Sequence, residues 1–253
     1  MSVMFRKFLK GCVCLSLLAV STSFDAMAGQ VELSADNGLE WNMNKKTIVA
    51  SENAILKRDD MNVISDKIAA YYNEVGGKRE IYDITAMGNV VINSLNYEIR
   101  SDYLTFDLKN SLLTLSMDEG EVTMASGDTI LKSKGNVVFY QNDGKIVLKD
   151  AQVVNSGRII EGEVLYVFLD KKNDLERVIV KDGVRIKDGD QFIVGDKADF
   201  NQSTGIANIS GNVSFAKGEN VSLTGGKVTY DMRTGVAKIL PSKEKKKVIG
   251  IFN

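Results

Sequence analysis

Histidine is absent from this chain of 253 residues, proline occurs once, at Pro241, and tryptophan once, at Trp41. Without histidine there is no Ser-His-Asp or Cys-His catalysis, no His-ligated zinc and no ordinary switch near neutral pH. The two cysteines, Cys12 and Cys14, both lie in the first fifteen residues. If that segment is removed, what remains forms neither a disulfide nor a thiolate metal site. An excess of one charge sign is also missing. The formal net charge is −1 at pH 7, so no basic field invites nucleic acid. No Gly-x-x-x-x-Gly-Lys-Ser/Thr phosphate loop is present.

The first ten residues hold Arg6, Lys7 and Lys10 and no acid; an apolar stretch follows from Cys12 to Ser23, then the small residues Ala26-Met27-Ala28. This is the pattern of a cleaved export signal over residues 1–28, too short to span a bilayer comfortably. A retained N-terminal anchor is the alternative reading. The cysteines precede most of the apolar stretch, which does not suit a lipoprotein signal.

Beyond residue 28 the chain repeats itself. Gly88-Asn89-Val90-Val91-Ile92, Gly135-Asn136-Val137-Val138-Phe139, Asp182-Gly183-Val184-Arg185-Ile186 and Gly211-Asn212-Val213-Ser214-Phe215 each place apolar residues two apart around a variable one. That is the period of a strand with one constrained face. A longer copy pairs the segment from Gly195 to Ile209 with that from Gly225 to Ile239. Such recurrence marks stacked units that bury apolar faces only by joining neighbours. Weaker copies stand at Ser65-Asp66-Lys67-Ile68, Ser101-Asp102-Tyr103-Leu104 and Lys149-Asp150-Ala151, and a faint echo at Ser51-Glu52-Asn53-Ala54.

Each unit reads as strand, Ser-Asp or Gly-Asp kink, strand, polar turn such as Asp107-Leu108-Lys109-Asn110, then strand. The Gly-Asn and Asp-Gly pairs read as turns. Ile64 to Ala70 with Tyr71-Tyr72 allows two helical turns, but the repeat register favours strand. An all-β fold of short antiparallel strands follows: a sandwich, barrel or jelly roll. The register puts Val90, Ile92, Ile99, Leu104, Phe106, Val137, Phe139, Val184, Ile186, Ile193, Phe200, Val213, Phe215, Leu223, Val228 and Tyr230 on one inner side. Glu98, Arg100, Thr105, Arg185, Ser214 and Thr229 fall on the other, which predicts a solvated outer face.

These units, after an export signal, resemble the OstA-like family, which includes the periplasmic lipopolysaccharide-transport proteins LptA and LptC and the N-terminal domain of LptD. The likeness is strongest from about Gly88 to Leu240 and fades toward Gly29. It implies a twisted antiparallel β-jelly roll over residues 29–240, with 29–86 either extra strands or a small separate module. It also implies an apolar interior that receives the acyl chains of lipopolysaccharide, no cofactor and no chemistry of its own. The expected partners are lipopolysaccharide, LptC-like inner-membrane and LptD-like outer-membrane proteins, and further copies joined head to tail in the periplasm. An LptC-like tethered component, or an exported structural or adhesive β-repeat protein, is the alternative.

The expected lipid-lining residues are Val90, Ile92, Ile99, Leu104, Phe106, Val137, Phe139, Ile186, Phe200, Phe215, Leu223 and Tyr230. An inward Val, Ile or Phe is first of all a core residue in any β-protein. At the C-terminus, residues 241–253 join a basic run, Lys243 to Lys247, to Val248, Ile249, Ile251 and Phe252. That segment is either a solvated tail with a last strand or an edge strand for the next subunit. The acidic groups Asp59-Asp60, Asp118-Glu119 and Asp188-Gly189-Asp190 lack the spacing of a calcium loop, so no metal site is expected.

Overall fold

The computed structural model describes residues 31–252 apart from 59–60, 95–96, 128, 156, 171–174, 219–220, 232, 235 and 242–246. The export-signal reading of residues 1–28, the pair Asp59-Asp60 and most of the lysine run lie outside the described residues.

Strands occupy nearly all of the rest. They are β1 (Val31–Ser34), β2 (Leu39–Asn42), β3 (Thr47–Arg58), β4 (Met61–Val75), β5 (Lys78–Ser94) and β6 (Tyr97–Asp107). Shorter ones follow: β7 (Leu112–Ser116), β8 (Val122–Ser126), β9 (Thr129–Ser133) and β10 (Val137–Tyr140). Then come β11 (Lys145–Asn155), β12 (Arg158–Leu169), β13 (Leu175–Asp188), β14 (Gln191–Asn201), β15 (Ile206–Lys217), β16 (Val221–Asp231), β17 (Val236–Leu240) and β18 (Ile249–Phe252). All pairings are antiparallel, and Ile64 to Tyr72 lie in β4 as strand. The all-β expectation holds.

One expectation is corrected. Gly88-Asn89, Asp182-Gly183 and Gly211-Asn212 do not reverse the chain; each sits in the middle of a long strand, at a break in register. Both residues of each pair have positive φ: 78° and 49° at Gly88 and Asn89, 61° and 89° at Asp182 and Gly183, 77° and 45° at Gly211 and Asn212. Successive left-handed residues of this kind make a β-bulge, which bends the strand and sharpens its twist. The faint echo at Glu52-Asn53 is the same device, with φ of 66° and 50°. Gly135-Asn136 likewise falls in a break between β9 and β10, both of which pair with β11.

The bends line up from strand to strand and divide the sheet. The first part of β3 pairs with β2 and the last part with β1. In β6, Tyr103–Asp107 pair with β7 and Glu98–Arg100 with β8. In β16, Lys227–Asp231 pair with β17 and Val221–Thr224 with β18. Each long strand therefore contributes to two half-sheets joined along a seam of bulges, and together these form the twisted jelly roll. Ile99 and Val90 from one half-sheet share a single core cluster with Leu104, Phe106 and Leu148 from the other, so the half-sheets face each other.

The candidate lipid-binding interior

The seam is held by cross-strand polar contacts. Asn89 Nδ2 donates to Asp66 Oδ2 at 3.0 Å, Asn212 Nδ2 to Asp196 Oδ2 at 3.1 Å, and Asn53 Nδ2 to Asp36 Oδ2 at 2.7 Å. Ser65-Asp66 and Gly195-Asp196 thus supply the acceptors for Gly88-Asn89 and Gly211-Asn212, whereas Asp102 of Ser101-Asp102 accepts from the backbone N–H of Asp118. Glycine is demanded twice over beside the asparagine. A Cβ on Gly88 would lie 2.2 Å from Asp66 Oδ2, and one on Gly211 would lie 2.1 Å from Asp196 Oδ2, in a backbone region that L-residues avoid. Small residues also let the seam close from inside: a Cβ on Gly195 would meet Ile209, and one on Gly225 would meet Ile239.

The bends turn one apolar face of every strand toward its opposite number, but filling is uneven along the meander. Val90, Ile92, Ile99, Leu104, Phe106, Val137 and Phe139 are buried, in a cluster that runs from β3 to β13. Ile186, Phe200, Phe215, Leu223 and Tyr230 lie on the same face, as their cross-strand partners show, yet remain partly exposed. Only Ile209, Val213 and Val228 form the buried cluster at that end, with Ile186, Ile193, Ala198, Tyr230 and Ile239 packed partly against them. The interior is closed by its own side chains from β3 to β13 and lies half open toward the C-terminal edge.

Both lateral ends of the meander are edges. At the first, Leu39 and Trp41 face inward opposite Ala50 and Ile48, yet Trp41 is 48% exposed. Its indole N–H donates to the Tyr72 hydroxyl at 2.8 Å, and the Arg79 guanidinium stacks 4.4 Å from its ring centroid. Sequence reading gave Trp41 no role; its partners are 31 and more residues away and no local pattern announces them. At the other edge, β18 pairs with β16 and leaves Val248, Ile249, Ile251 and Phe252 exposed. Phe252 stands opposite Val221 on the inner face, Ile249 and Ile251 opposite Thr224 and Ser222 on the outer.

Charged groups cluster at turns. Asp118 accepts from the Tyr103 hydroxyl at 2.8 Å, an interaction that raises the pKa of the phenol. Asp107 accepts two hydrogen bonds from Asn110, which hold its carboxyl below the usual range. Among the described residues no three acidic side chains gather as a metal-ligand set. The chemistry on offer is apolar contact along a bent double sheet.

Residues 98–236, more than half of the chain, match the family described as LptA/(LptD N-terminal domain) LPS transport protein. The chain belongs to this lipopolysaccharide-transport family. The matched stretch begins inside β6 and ends at the start of β17, so it takes in the closed core from β6 onward and the half-open end as far as β16. Among solved structures, the chain is similar to LptH from Pseudomonas aeruginosa, the LptA-homologous periplasmic component of a lipopolysaccharide transport device. The identity is 9%, the alignment covers 89% of this chain and 96% of that one, and the TM-score is 0.26. No curated protein matches the chain. The family is one of transport proteins rather than enzymes.

Proposed function

We infer that this LptA-family chain is a periplasmic bridge protein that carries lipopolysaccharide between the inner and outer membranes, without chemistry of its own. It does so by holding acyl chains between its half-sheets. The observation that carries this reading is the apolar face that runs unbroken from the closed core to partly exposed Ile186, Phe200, Phe215, Leu223 and Tyr230. Burial of a methylene is worth roughly 0.8 kcal/mol, so one fully enclosed chain of about a dozen carbons gains on the order of 10 kcal/mol. Several such chains would not leave on a useful timescale. A half-open wall that repeats from strand to strand lets a lipid exchange one apolar surface for a similar one at small net cost.

The described residues from 31 to 86 read as further strands of the same jelly roll: β5 pairs directly with β6, and Ala50, Ile68 and Ala86 belong to the main core cluster. The two edges suit head-to-tail assembly and contact with LptC-like and LptD-like partners. Glu32 and Glu40 lie on the first edge strands, Lys238 on β17 and Lys247 just before β18, so the edge strands themselves carry side chains of opposite sign.

Displacement of a fluorescent lipid from the purified chain tests the carrier reading. Lipopolysaccharide should compete, its deacylated saccharide should not, and F215D with L223D should weaken binding about tenfold or more while the melting transition stays cooperative. Equal competition by the deacylated saccharide would overturn it.

A further inference from the structure

β12 contains the run Val164-Leu165-Tyr166-Val167-Phe168-Leu169, apolar at every position. Leu165, Val167 and Leu169 enter or pack against the core, so Val164, Tyr166 and Phe168 point the other way. The pairings extend them into outward rows: Tyr140, Lys145, Phe168 and Arg177; Val138, Val147, Tyr166 and Ile179; Lys149, Val164 and Lys181. None of the apolar members of these rows belongs to a described core cluster. A strand apolar on both faces is normally a strand covered on both faces.

The patch is bounded. The middle row continues into Thr114 and Thr105 on one side and into Asp199, Asn208 and Thr229 on the other. Lysines flank it on β11 and β13, and Asp199 borders it on β14. Lys145 Nζ lies 4.2 Å from the Tyr140 ring centroid and Lys181 Nζ 5.0 Å from that of Tyr166, while Lys149 is exposed. The outward positions in these rows on β10 to β13 include four cations and no carboxylate; Arg177 alone is satisfied by a neighbouring strand, through Asp199.

We propose that the outer face of β10 to β13 is a docking surface for an anionic phospholipid bilayer. Tyrosine rings with an apolar body and a wet tip settle at the head-group level, Phe168 and the valines reach below it, and the lysines extend their ammonium groups to the phosphates. With strands about 4.8 Å apart, the face is on the order of 15 Å wide, a platform rather than a cleft. Lys145, Lys149 and Lys181 stand among the aromatic and aliphatic side chains without a carboxylate partner among the described residues, while the bordering carboxylate, Asp199, is taken by Arg177. Unpaired cations around an apolar patch favour a phosphate-bearing bilayer over a protein partner, whose interface normally mixes both signs. β13 borders both this platform and the half-open interior, so docking would bring the opening beside the membrane. The proposal does not depend on what the interior carries.

Flotation of the full chain with vesicles of phosphatidylethanolamine and phosphatidylglycerol tests it, against vesicles of phosphatidylcholine alone. At low salt the chain should float with the anionic vesicles and much less with the neutral ones. Each lysine near an anionic surface is worth roughly a fivefold change in partition, so K145E/K149E/K181E should lower it by about a hundredfold, and Y166S/F168S should lower it by about tenfold or more. Circular dichroism melts of both variants establish that they fold, and displacement of the lipid probe by lipopolysaccharide, read in parallel, reports on the interior separately. Equal flotation of wild type and folded variants overturns the proposal. So does equal flotation with neutral vesicles, or self-association that Y166S/F168S abolishes while flotation persists.

Discussion

Asn89 in β5 donates from its side-chain amide to the carboxylate of Asp66 in β4, at 3.0 Å, and so ties together the bends of adjacent strands. The contact recurs between Asn212 and Asp196 at 3.1 Å. Gly88 sits against the same carboxylate, so G88A should both strain the backbone and displace the tie. A loss on the order of 2–4 kcal/mol is expected. Gly38, with φ of 81° and nothing near a new Cβ, provides the control: G38A should cost only about 1 kcal/mol, from backbone strain alone. Urea unfolding of the two variants measures the difference, and equal losses would mean that the carboxylate contact is unimportant.

Serine hydroxyls near the seam should behave in opposite ways. Ser133 is buried and its Oγ donates to the Lys149 carbonyl at 2.7 Å. Ser101, equally buried, has an Oγ with no hydrogen-bond partner. S133A should therefore lose about 1 kcal/mol, whereas S101A should be neutral or slightly stabilising, because it removes a hydroxyl that is desolvated without return. Thermal melts of the pair read this directly.

Asp83 and Asp107 stand directly opposite each other on β5 and β6. Burial raises the pKa of Asp83, and the negative charge of Asp107 adds to the rise, while Asn110 keeps Asp107 ionised. The folded state therefore holds a proton on Asp83 more readily than the unfolded state does. Its contribution favours folding in acid and is lost as pH rises from the ordinary carboxylate value through the raised one. D83N should raise the melting temperature modestly at pH 7 and give no gain at pH 3; a constant gain across that range would contradict this origin.

The two-residue period made the inner face legible: every residue from Val90 to Tyr230 placed inward by the pattern stands inward in the structure. Gly88-Asn89 was legible as a site of positive φ but not as a bend inside a strand. Hairpin turn and bulge ask for the same residues, and the deciding contact, Asp66, is 23 residues away. The difference between buried Phe106 and partly exposed Phe215 was hidden for a similar reason. Both sit in similar alternating strands, but Phe106 belongs to the main core cluster and Phe215 to neither cluster, a difference set by position along the meander. The outer patch departs from the solvated outer face that the alternation predicts: Val164 to Leu169 does not alternate, and the neighbours that widen it come from β10, β11 and β13.

Site-specific photo-crosslinking in cells that make lipopolysaccharide tests the central claim most directly. A photoreactive residue at Phe215 or Leu223, inward and partly exposed, should give lipopolysaccharide adducts, one at closed-core Phe139 should give fewer, and one at Thr229, which pairs outward with Asn208, should give none. Adducts absent from every inward position, or as frequent at Thr229 as at Phe215, would contradict it.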